Sequence, residues 1–99
     1  MTYDVDYFIA KFEAIPDDQW AVGKFEDGGG RKCAMGHCGK INGFLDTPES
    51  AAVYSLFIDE LHFGVVSVND GCIGEYPQHT PKQRILAALQ DIKKKLDDK

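Results

Sequence analysis

The stretch RKCAMGHCGK, residues 31–40, places two cysteines, a histidine and three basic side chains within ten positions. Cysteine thiolates and imidazoles bind metal ions, and they also serve as the nucleophile and base of hydrolases and transferases. The same residue types also occur where a chain packs tightly, because unpaired cysteines are among the most frequently buried residues. The segment is therefore open to a metal-binding, a catalytic or a structural interpretation.

A metal site would draw on Cys33, His37, Cys38 and Cys72, which are four ligands of types that zinc accepts. The spacing differs from that of common zinc knuckles, because His37 and Cys38 are adjacent. On a helix, Cys33 and His37 would share one face and Cys38 would point about 100° away. A zinc-stabilised binding module is therefore kept as an alternative, and the sequence commits to no metal and no other cofactor.

A catalytic site would use Cys33 as a nucleophile. A cysteine at the start of a short helix gains thiolate character from the helix dipole, and Arg31 and Lys32 would add to this effect. His62 or His79 is available as the base, and Asn69 or Asp70 as the orienting group. The order Cys, His, Asn occurs in papain-like enzymes, but the residues around Cys33 match none of their signatures. A cysteine-dependent hydrolase or transferase is the second alternative.

An anion-binding site would use the backbone of residues 28–32, Gly-Gly-Gly-Arg-Lys. Amides of a glycine loop can surround a phosphate, but the G-x4-G-K-[ST] spacing of a P-loop is missing. The structural alternative is a hairpin tip. If the loop binds phosphate, a nucleotide-binding protein that counters host defence would fit. With His37 as the residue of this segment expected to face a partner, the predicted ligand-binding residues are Arg31, Lys32, His37 and Lys40.

Bulk composition excludes several classes of function. The chain has 99 residues, enough for one domain spanning residues 1–99, and its formal net charge is −5. Such a charge repels nucleic acid and anionic membrane surfaces. Three cysteines, an odd number, without an apolar leader segment predict a reduced, cytoplasmic protein. No apolar run approaches the roughly 18 residues that span a bilayer.

Three amphipathic helices are predicted to position these groups. The first runs from about Asp4 to Ala14, with apolar residues at i, i+3, i+4 and i+7. The second opens at Thr47-Pro48-Glu49 and the third at Thr80-Pro81, where a threonine cap precedes a proline suited to the first turn. Their predicted buried positions are Val53, Tyr54, Phe57, Ile58 and Leu61 in the second helix, and Ile85, Leu89, Ile92 and Leu96 in the third.

Two segments are predicted to be extended. Residues 20–35 read as a β-hairpin turning at Asp27-Gly28, and residues 64–68, GVVSV, read as a strand closed by the turn Asn69-Asp70-Gly71. The predicted fold class is therefore α+β. A small antiparallel or mixed sheet of two to four strands would pack with the three helices in a single domain.

The segments FEAIPDDQW, KCAMGHCG, VNDG and TPKQRILAALQDIKK, in this order, resemble a family of small uncharacterised proteins of phages and bacterial genomes. The CAMGHCG and TPKQR segments are the most specific part of the resemblance. Some members carry a cysteine directly after the tryptophan, where this chain has Ala21. The resemblance implies a phage or mobile-element origin and a cytosolic setting, and it implies no activity.

No complete catalytic or metal-binding set emerges from these patterns. The sequence therefore predicts a small cytoplasmic protein that is not an enzyme and that binds a host protein or a small anionic ligand. In this interpretation the cysteine segment is structural. The identity of the partner and the oligomeric state are left open.

Overall fold

A computed structural model describes residues 3–40 and 47–99. In these ranges the chain forms five α-helices: α1 (Val5–Glu13), α2 (Ala34–His37), α3 (Pro48–Leu61), α4 (Val65–Asn69) and α5 (Pro81–Asp97). A short 3-10 helix, Asp17–Gln19, follows α1. No helix in the described part of the chain combines the length and the apolar character needed to cross a bilayer.

The three long helices are the predicted ones, and each begins at its predicted cap. Asp4 accepts a hydrogen bond from the Tyr7 amide at 2.8 Å, and Thr47 and Thr80 accept from the amides three residues on. These contacts satisfy amide groups that the first turn of a helix leaves without partners. The reciprocal capping box is completed in α3, where the Ser50 hydroxyl also accepts from the Thr47 amide at 2.9 Å.

The core lies between α1, α3 and α5, and α5 contacts all four other helices. Phenylalanines and branched aliphatic residues form most of it. The largest fully buried side chains of these helices are Phe8, Phe12, Val53, Phe57, Ile85, Leu89 and Ile92. Burying each of them contributes about 1.5–3 kcal/mol. An aromatic series continues outward, with ring centroids 5.4 Å apart for Phe12 and Trp20 and 5.0 Å for Trp20 and His37.

The predicted α+β fold class is wrong, because the described residues contain no β-sheet. Residues 64–68, predicted as a strand, form most of α4. Val65 and Val68 lie one helical turn apart and are both buried, whereas Val66 between them is 40% exposed. The strand preference of β-branched residues is weak, and this packing outweighs it.

The predicted β-hairpin is also not formed. Its turn is present, with the Asp27 amide donating to the Arg31 carbonyl at 2.8 Å, but the flanking segments form no strands. Their pairing is reduced to two isolated bridges, both to Lys32. Gly23, at φ 80°, bends the chain after Ala21, and its amide donates to the Asp70 carboxylate at 3.0 Å. The middle of the first arm is therefore held against the end of α4, while Ala21 and Phe25 on either side of it still bond to the second arm at Lys32 and Cys33.

The short helix α2 packs directly on the backbone of Phe25. A Cβ atom added to Gly36 would lie 1.9 Å from the Phe25 carbonyl oxygen, which is closer than any side-chain atom can approach. The Cys33 amide donates to the same carbonyl at 3.3 Å. Only glycine at this position allows α2 and the Phe25 segment to be in contact.

We expect Gly36→Ala to lower the free energy of unfolding by about 2 kcal/mol or more, because backbone atoms have to move apart. Urea unfolding followed by circular dichroism measures this loss. Gly74→Ala is the matched control, since an added Cβ there meets no atom within 4 Å. An equal effect of the two substitutions would contradict the close contact.

Candidate functional site

Five of the ten residues in the segment 31–40 are buried, and both cysteines are among them. Cys33 is the N-cap of α2 and Cys38 its C-cap, and both side chains are at most 3% exposed. The Ala34 amide donates to the Asn69 side chain at 3.1 Å, which fixes the start of α2 to the end of α4. The cysteine segment thus joins two parts of the fold.

The Cys33 thiol lacks the environment of a nucleophile. Burial raises its pKa above the ordinary value, although the amides of Met35 and Gly36 act in the opposite direction. The Asn69 amide group donates to the Ala21 carbonyl and to Asp70, both at 2.9 Å, and its oxygen accepts from Ala34. The Asn69 side chain therefore bonds to backbone groups of Ala21 and Ala34. His62, one of the two candidate bases, is the exposed C-cap of α3 and has a left-handed backbone conformation.

The four proposed zinc ligands do not form a cluster. In residues 3–40 and 47–99, no group of three or more histidine, cysteine, aspartate or glutamate side chains could hold a metal ion. Cys72 is exposed, and Cys38 faces Glu49. Burial and the Glu49 carboxylate raise the pKa of the Cys38 thiol to about 12.

Glu49 is the centre of a polar cluster that sequence reasoning missed. It lies in the first turn of α3 and accepts hydrogen bonds from the Tyr7 hydroxyl and the Lys11 ammonium group, both on α1. Burial raises the pKa of Glu49, but the bonds from Lys11 and Tyr7 outweigh this and hold it below its ordinary value. The cluster joins α1 to α3.

His37 is half-buried against Trp20. Its Nε2 lies 2.9 Å from the Gln19 carbonyl oxygen, and because a carbonyl can only accept, Nε2 carries the proton. Desolvation lowers the pKa of His37, and nearby Lys32 and Lys11 lower it further. The imidazole is therefore held neutral by its surroundings.

The glycine loop is closed around a carboxylate of its own. Asp27 accepts from the amides of Gly29 at 2.9 Å and Arg31 at 3.0 Å, and from the Arg31 guanidinium at 2.7 Å. Partial desolvation raises the pKa of Asp27, but these donors hold it below its ordinary value. Two of the loop amides that could bind a phosphate, and the Arg31 guanidinium, thus already bind the Asp27 carboxylate.

Three adjoining depressions meet at Phe25. The largest, about 380 Å³, is lined by Phe25, Met35, Lys40, Tyr54, Val65 and Val66, together with Gly64 and Ser67. A second of about 280 Å³ shares Phe25 and Lys40 with it and adds Lys32 and Glu26. A third of about 110 Å³ shares Phe25 and Val66 and adds Lys24, Cys33 and Asp70. We call these three together the Phe25 surface.

The Phe25 surface contains two of the predicted ligand-binding residues, Lys32 and Lys40. It also contains apolar residues that were not predicted to bind a ligand. Tyr54 was assigned to the buried face of its helix but is 50% exposed, and Val66 was assigned to a strand. The Lys40 ammonium lies 5.7 Å from the centroid of the Phe25 ring, within the range of a cation–π contact. Arg31 and His37 do not line it.

Comparison of the chain with protein-family models, with curated proteins and with solved structures finds no match. The resemblance to small phage and bacterial proteins therefore stays an expectation.

We expect one fast-reacting thiol per folded chain in labelling with 5,5′-dithiobis(2-nitrobenzoate) at neutral pH. Cys72 is exposed, whereas Cys33 and Cys38 are buried and have raised pKa values. Cys72→Ser should therefore remove the fast phase, and urea should restore reaction of the other two thiols. Fast labelling of Cys33 in folded Cys72→Ser would revive the hydrolase interpretation.

We expect the free energy of unfolding to fall as the pH drops below 6.5, the ordinary pKa of an imidazole. The folded chain holds His37 neutral, so the unfolded chain binds more protons below this pH, and protonation favours unfolding. Urea titrations at about pH 5.5 and 7.5 measure the difference. His37→Gln, which keeps a donor for the Gln19 carbonyl, should reduce it. An unchanged difference would show that His37 is not responsible.

Proposed function

We propose that the chain is a small binding protein without enzymatic activity and that the Phe25 surface contacts its partner. The observation that carries the proposal is the meeting of three depressions at one aromatic side chain, with exposed apolar residues and lysines around it. The largest depression has a volume within the range of ligand-binding clefts.

Exposed apolar residues support this assignment. Three large apolar side chains are exposed in the described residues, namely Val22, Tyr54 and Val66, and the last two line the largest depression. Phe25 and Met35 extend the same apolar lining. Grouped exposure of this kind lowers solubility, and it is typical of surfaces that a ligand or a partner covers.

The environment of the candidate chemical groups favours binding over catalysis. Cys33 is 2% exposed with a raised pKa, Asn69 bonds the backbone, and Cys38 faces a carboxylate. Nothing in this arrangement activates a nucleophile. If the resemblance to phage proteins holds, the partner is a component of the infected bacterium, and interference with host defence is one role for such binding.

Binding to the largest depression of the Phe25 surface, called the groove below, is tested with the neutral fluorescent probe N-phenyl-1-naphthylamine, whose two aromatic groups suit an apolar cleft. The wild-type chain should enhance its fluorescence with saturable, one-to-one binding. Val66→Glu should weaken the affinity about 10-fold or more, because a carboxylate then projects at the mouth of the groove.

Val22→Glu is the matched control, because Val22 is also an exposed valine, at 55%, but does not line the largest depression. Circular dichroism confirms that both variants are folded. Equal weakening by the two substitutions, or an absence of saturable binding to the wild type, would contradict the proposal.

A further inference from the structure

We draw no further inference here: the strongest candidate, the open apolar patch of the Phe25 surface between α2, α3 and α4, already belongs to the site of the proposed function, and nothing in the described residues 3–40 and 47–99 shows what covers it.

Discussion

The buried guanidinium group of Arg84 holds together the part of the molecule that forms the Phe25 surface. Arg84 is 8% exposed, and it donates to the carbonyl groups of Val68 and Asn69 at the end of α4 and of Gln78 before α5. Leaving a charge of this kind unpaired in the interior would be costly, and here backbone carbonyls surround it. The negative end of the α4 dipole adds to their effect. A five-residue helix, too short to be stable by itself, is therefore fixed at its C-terminal end.

Asn69, the last residue of α4, connects this fixed end of the helix to the other segments of the site. Its side chain binds the Ala34 amide and the Ala21 carbonyl, and the next residue, Asp70, binds the Gly23 amide. The bent segment after Trp20, the start of α2 and the end of α4 are thereby fixed to one another. These are the elements that contribute Phe25, Met35 and Val66 to the groove. Buried polar groups that are fully paired in this way specify a single arrangement of the backbone.

The sequence was sufficient to predict features that depend on neighbouring residues. Caps, prolines and helical periodicity placed α1, α3 and α5 correctly, because the bonds that start each helix join residues three positions apart. It was not sufficient for α4 and for residues 20–33, whose conformations depend on partners 15 to 48 positions away, as in the bonds from Arg84 to Asn69 and from Asn69 to Ala21. The local signals there, β-branched residues and an Asp-Gly turn, favour strands, and long-range contacts outweigh them.

The same distinction explains why the candidate site was only half predicted. Lys32 and Lys40 were selected by their charge, which is visible in the sequence, but Phe25, Tyr54 and Val66 are apolar residues of the kind usually assigned to a core. The position of Phe25 follows from the packing of α2 on its backbone, which Gly36 permits, and the exposure of Val66 follows from the helical conformation of α4. The cysteines of the segment 31–40 are buried in the core, and His37 packs against Trp20. Two of the small residues in this segment, Ala34 and Gly36, have the larger consequence, because Ala34 joins α2 to Asn69 at the end of α4 and Gly36 allows α2 to contact the Phe25 backbone.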